Sequence, residues 1–157
     1  MNLYNNELDV FISVDEILIE KLVKIGDLYF PKEYGGFLVG YYNETFKIVY
    51  ITDYVLPMKY ENTSTSFKRE PSGLEELFEE LYIKTPSQYY IGEWHTHPNG
   101  ISKASSLDRI ALNKIAEDKS TPIENPIMLI IGYQRENITL SFYVSVNGKL
   151  YEYEQRK

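Results

Sequence analysis

Tyr89-Tyr90-Ile91-Gly92-Glu93-Trp94-His95-Thr96-His97-Pro98 reads as a strand from Tyr89 to His97, ended by Pro98. Asn99 to Ala104 follows as a loop. A helix then begins near Ser105, with Leu107, Ile110, Ala111, Lys114 and Ile115 at helical spacing. The chain's only two histidines, His95 and His97, both lie in this strand. Residues i and i+2 of a strand point to the same side, so both imidazoles can reach one point. Asp108 sits in the first turn of the helix, and the loop can bring its carboxylate back to the histidines. Two His and one Asp are three N/O ligands that leave a fourth tetrahedral position for water, the arrangement of a catalytic zinc site. The same residues have a plainer reading. A histidine pair at a strand end can simply be solvated, and Ser105-x-x-Asp108 fits a capping box. Capping and metal binding are compatible for Ser105, less obviously for Asp108.

The rest of the chain supplies a sheet. Leu8 to Ser13 reads as a strand. Ser13-Val14-Asp15-Glu16 fits a capping box, and Val14, Leu18, Leu22 and Ile25 place a helix over about Val14 to Ile25, with Gly26 as its stop. Phe37 to Tyr42 and Phe46 to Leu56 read as a hairpin about Asn43-Glu44-Thr45. Pro57 to Pro71 is polar and reads as a long irregular loop. Leu74, Leu77, Phe78 and Leu81 mark a second helix. Pro126 to Tyr133 is a buried strand, and Ile138 to Val146 and Leu150 to Tyr153 flank the turn signal Asn147-Gly148. Strands that are both paired and separated by helices predict an α/β or α+β fold with one main sheet.

The 157 residues suit a single domain spanning 1–157. Cys is absent, which removes disulfides, thiol nucleophiles and thiolate metal sites together. The first residues carry no basic or apolar segment of a secretory signal, so a cytoplasmic location is expected. No apolar run approaches the length of a membrane span. The formal net charge is −7, and Lys68-Arg69 is too small a basic stretch for the phosphate neutralisation that nucleic-acid binding needs. The 15 tyrosines suit half-buried strands and protein-contact surfaces.

His95-Thr96-His97-Pro98, six further residues, then Ser105-Ser106-Leu107-Asp108 resembles the motif of the JAMM (MPN+) metalloproteases residue for residue. Pro31-Lys32-Glu33-Tyr34-Gly35-Gly36-Phe37-Leu38-Val39-Gly40 resembles the family's upstream Pro-x-Glu-x-x-Gly segment. The resemblance spans Glu33 to Asp108. It implies the JAMM/MPN cytidine-deaminase-like fold, a central mixed sheet flanked by about three helices. It implies one zinc ion held by His95, His97 and Asp108. Glu33 would be the general acid/base, and the Ser105 hydroxyl would help to stabilise the tetrahedral oxyanion. Glu93 is the rival acid by proximity, but a strand position would put it further down the sheet. Ala104 stands where many relatives have Pro; the change removes no reactive group.

Relatives of this kind mostly cleave after the C-terminal glycine of ubiquitin or a ubiquitin-like protein. The short, cysteine-free chain resembles the compact prokaryotic JAB branch. Tyr90 to Pro98, preceded by Phe67-Lys68-Arg69-Glu70-Pro71-Ser72-Gly73, resembles the deconjugases of bacterial antiphage operons of the type II CBASS kind. There, ubiquitin-transfer-like activating and conjugating enzymes attach a cGAS-like nucleotidyltransferase to targets through its C-terminus. The resemblance thus implies a protein substrate with a glycine-type tail, and neither nucleic acid nor membrane as partner. The Pro57–Pro71 stretch is a candidate groove wall, with Lys68 or Arg69 meeting an acidic partner surface. Two other readings use the same residues: processing of a ubiquitin-like sulfur carrier or hydrolysis of a small-molecule amide, and a noncatalytic module that keeps zinc as a staple.

Overall fold

The computed structural model describes residues 1–121, 123 and 125–156. In chain order the elements are β1 (Asn2–Asn5), β2 (Val10–Val14), α1 (Glu16–Asp27), β3 (Gly35–Tyr42), β4 (Ile48–Val55), β5 (Lys59–Asn62) and β6 (Phe67–Glu70). They continue with α2 (Glu75–Tyr82), β7 (Tyr89–Pro98), α3 (Ser106–Glu117), β8 (Ile127–Gln134), β9 (Asn137–Val146), β10 (Lys149–Glu152) and β11 (Glu154–Gln155). Nine strands form one mixed sheet in the order β10-β9-β8-β7-β3-β4-β2-β1-β11; β5 and β6 make a separate hairpin. The β7–β8 and β2–β4 pairs are parallel and the other pairs antiparallel.

Alternation fixes which face of the sheet each side chain takes. On one face Trp94 of β7, Leu38 of β3 and Leu129 and Ile131 of β8 join Leu18, Ile19 and Leu22 of α1 in the largest core cluster. On the other face Phe37, Val39 and Val55 pack with Leu74 and Leu81 around α2, and Met128 and Ile130 pack with Leu112 of α3. His95 pairs in register with Ile130, so the histidines lie on the α2/α3 face. Gly35 is opposite His95; a Cβ there would meet the Trp94 carbonyl oxygen at 2.0 Å. Only Gly lets β3 come this close to the strand that carries the histidines.

The fold class expected from the sequence is observed: one central mixed sheet with three helices. Several boundaries differ. The first helix begins after Asp15, whose carboxylate accepts from the Ile17 N–H at 2.9 Å, so Asp15 rather than Ser13 is the cap. Ser13 is in β2. Gly26 does not stop the helix but lies within it, against Thr96 and Tyr133. Pro57 to Pro71 is not a long irregular loop: its polar residues form β5 and β6, closed through the Thr63 N–H to Ser66 O bond at 2.9 Å. The helical face Leu107, Ile110, Ala111 is turned away from the core. Leu107 and Ile110 are 69% and 57% exposed, while Leu112 is buried. The Asn147-Gly148 turn is as expected, with positive φ at both residues, and joins β9 to β10.

Candidate metal centre

Strand β7 and the N-terminus of α3 bring the two histidines and Asp108 together. His95 Nε2 lies 3.0 Å from Asp108 Oδ1, and His97 Nε2 lies 3.1 Å from Asp108 Oδ2. The two Nε2 atoms are 3.2 Å apart. Among the described residues this is the group of three His, Cys, Asp or Glu side chains able to hold a metal ion. Metal–ligand bonds of about 2.0–2.1 Å in a tetrahedron put the donors about 3.3 Å apart, so the donor set fits an ion of zinc's size. The His97 Nδ1 lies 3.0 Å from the Ile101 carbonyl. A carbonyl only accepts, so Nδ1 carries a proton; Nε2 donates to Asp108 when the ring is protonated and would turn its lone pair to an ion held at the centre.

Asp108 fits both roles that the sequence left in tension. Its carboxylate accepts from the Ser105 N–H at 2.8 Å, and its own N–H donates to Ser105 Oγ at 3.1 Å, a complete capping box. A carboxylate has lone pairs enough for the cap and for the centre. Burial works against its charge, but hydrogen bonds from His95, His97 and the Ser105 backbone outweigh this and hold the carboxyl well below the usual range. Burial pulls His95 down despite Asp108; at the less buried His97 the Asp108 contact prevails and the imidazole is raised.

Glu33 precedes β3 and faces the same space. It is 8% exposed, and burial pushes its carboxyl up to about 7. The positive side chains of His97 and Arg69 act in the opposite direction, and Asp108 adds to the rise. Its backbone is held by the hairpin: the Glu33 N–H donates to Thr63 O at 2.8 Å, and Asn62 Nδ2 donates to Glu33 O at 2.9 Å. Tyr34 is clamped to Thr96, the residue between the histidines. The Tyr34 N–H donates to Thr96 Oγ1 at 2.9 Å and the Thr96 N–H to Tyr34 O at 2.8 Å. Sequence reasoning missed the parts played by Asn62, Thr63 and Thr96. The signal for Asn62 and Thr63 was a run of Ser, Thr and Asn, which reads as a polar loop; Thr96 lay in plain view between the two histidines, with nothing in the sequence to mark its tie to Tyr34.

Glu33, Ser105 and the His/His/Asp group line a groove of about 850 Å³. The hairpin tip, Ser64 to Lys68, forms one wall; Leu107, Ile110, Ala111 and Ile115 of α3 form the other. Lys68 is exposed on the rim. The Arg69 guanidinium is not offered to a partner surface as expected. Its side chain is 10% exposed, pairs with the Glu93 carboxylate and donates to the Trp94 carbonyl at 3.1 Å. Glu93, the rival acid, is engaged by that arginine.

The fold and centre define a mixed-sheet α/β domain that carries a His-x-His strand and an aspartate at the start of the next helix, suited to a metal ion. The family profile described as prokaryotic homologs of the JAB domain matches residues 15–144, and the chain belongs to that family. It is 31% identical over 121 residues to a protein of Enterobacter hormaechei subsp. hoffmannii named CD-NTase/cGAS isopeptidase. The match covers 76% of this chain and 64% of that protein, so the chain spans a little under two thirds of that relative. A probable metalloprotease of Sinorhizobium fredii is 26% identical over 129 residues, covering 80% of this chain and 78% of the relative. The solution structure of a protein from Desulfitobacterium hafniense superposes with a TM-score of 0.66 at 16% identity, covering 91% and 90% of the two chains; it shares the fold.

Proposed function

We propose that this chain is a zinc isopeptidase that releases proteins joined through a C-terminal glycine tail, with a conjugated cGAS-like nucleotidyltransferase as the substrate. The observation that carries the reading is Glu33: a buried carboxyl group facing a cluster of metal donors at the floor of an open groove. The name of the Enterobacter relative supports the substrate class. The reading treats residues 1–157 as one catalytic domain acting in the cytoplasm. Among the described residues no helix is long and apolar enough to cross a membrane.

His95, His97 and Asp108 would hold the ion. When bound, zinc supplies Lewis acidity and makes water a ready source of hydroxide near neutral pH. Glu33 takes a proton from the attacking water and returns it to the leaving amine, as a general base and then a general acid. The Ser105 Oγ accepts from the Asp108 N–H, which leaves its own proton free to donate to the oxyanion of the tetrahedral carbon. The Ile101 carbonyl keeps the His97 ring in one tautomer. Lys68 on the rim meets the partner protein.

The test is coexpression with the neighbouring genes, as wild type and as Glu33→Ala, followed by denaturing gels and mass spectrometry. Conjugates through a C-terminal glycine that accumulate only with Glu33→Ala support the reading and identify the substrate. A verified Glu33→Ala protein with full activity would sink the mechanism. Accumulation of an unprocessed sulfur-carrier precursor instead would keep the chemistry and change the substrate.

A further inference from the structure

We propose that Arg69 is a positioning residue: it ties the β5–β6 hairpin to β7 and so fixes Glu33 relative to His95 and His97. The inference rests on the hydrolase reading given above. Both backbone polar groups of Glu33 are satisfied by the hairpin, through Thr63 and Asn62, rather than by the main sheet. The hairpin's other strand reaches β7 through the Arg69 side chain, beside the packing of Phe67 and Tyr60 on Tyr34. Arg69 pairs with Glu93 and donates to the carbonyl of Trp94, the residue immediately before His95. One path from base to ligand thus runs Glu33, hairpin, Arg69, β7, His95, beside the direct clamp of Tyr34 on Thr96. Phe67 lies against the guanidinium, 4.7 Å from ring centroid to the central carbon, and holds its plane.

A buried ion pair adds little net stability over a well-packed apolar pair, because both charges lose their hydration. Here the arginine also leaves its Nε without a partner. What the pair supplies is direction. A planar fork reaches a carboxylate and a carbonyl together, which a lysine ammonium cannot do in the same geometry. Tyr34 is clamped to Thr96 independently, so loss of the arginine displaces Glu33 without detaching the segment.

Arg69→Met, Arg69→Lys and Glu93→Gln in the full zinc-loaded chain separate the alternatives. Glu93→Gln is a neutral isostere and keeps the test alive should Arg69→Met fail to fold. The readouts are zinc content, kcat and KM on the glycine-linked conjugate, and hydrogen exchange at individual amides by NMR. A positioning role lowers kcat about 10–100-fold. It leaves KM within about twofold and zinc content intact, with no rescue by Lys, since misplacement of a reacting group acts on the chemical step. It also speeds exchange at the Glu33 amide, bonded to Thr63, while the Thr96 amide, bonded to Tyr34, stays protected. A rise in KM at constant kcat would make Arg69 a substrate contact and overturn the proposal. So would a lower melting temperature with unchanged kcat and a protected Glu33 amide. If the wild type cleaves no conjugate, the hydrolase reading fails, and the exchange pattern alone still decides whether Arg69 holds the hairpin.

Discussion

Glu33→Gln keeps the size of the side chain and removes its ability to take a proton. The expected outcome is a loss of about 10²–10⁴-fold in kcat with zinc content unchanged, read by steady-state kinetics and metal analysis. Its raised pKa has a second consequence in the metal-free protein. A carboxyl whose pKa is about 7 when folded, against an ordinary 4.5 when unfolded, binds its proton more tightly in the native state. The native state is therefore favoured at low pH, and stability is lost as pH rises from about 4.5 through 7. Glu33→Gln removes this loss. At pH 8 the metal-free variant should be the more stable by about 1–2 kcal/mol, a few degrees in Tm, and the gap should close toward pH 4. Thermal melts at several pH values check this; a gap that does not narrow on acidification counts against a buried, proton-hungry Glu33.

At the scale of elements, α3 separates two functions that one helix face would otherwise confuse. Leu112 packs into the core, whereas Leu107 and Ile110 project toward the groove. Substituting either of the exposed pair by Ser should change stability by less than about 0.5 kcal/mol while raising KM, because they line the groove that the proposed substrate enters. A drop in Tm of many degrees would instead mean that they pack internally. Ser105→Ala loses both the cap and the proposed oxyanion donor; about 1 kcal/mol of stability and about tenfold or more in kcat should go together, measured by denaturation and kinetics. The grouping of His95, His97 and Asp108 was legible from sequence because the three lie on one strand and the first turn of the next helix, whereas Glu33 and Ser105 were reached only through the family resemblance. The helical pattern of Leu107, Ile110, Ala111, Lys114 and Ile115 placed α3 correctly, but apolar periodicity marks a face to be covered, not what covers it. The β5–β6 hairpin was illegible because Asn62 to Ser66 lacks apolar alternation, and its purpose lies in tertiary bonds to Glu33 and β7. Strands β1 and β11 are short and pair with each other from opposite ends of the chain, so local signals were weak there.

At the scale of the whole molecule, the sheet's interior is independent of the centre. Trp94, Leu22, Ile91, Leu129, Ile130, Ile131 and Phe142 are fully buried and belong to apolar clusters that need no ion. Chelation should therefore leave the far-ultraviolet circular dichroism spectrum intact. If the proposed zinc binds only the folded arrangement, Tm should fall by an amount that scales with the logarithm of the free zinc concentration before removal. Global unfolding on chelation at room temperature would show that the ion holds the fold. The clamp of Tyr34 on Thr96 bears on how such a molecule comes to be made. His97 and Asp108 are 11 residues apart, whereas the Tyr34–Thr96 contact that seats Glu33 joins residues 62 apart. Closing the longer loop costs about 1.5 kcal/mol more chain entropy. In refolding of the full-length polypeptide the donors can thus gather before the segment that carries Glu33 docks, and the proposed proton carrier is the last part of the centre to arrive, when the first third of the chain settles against the middle.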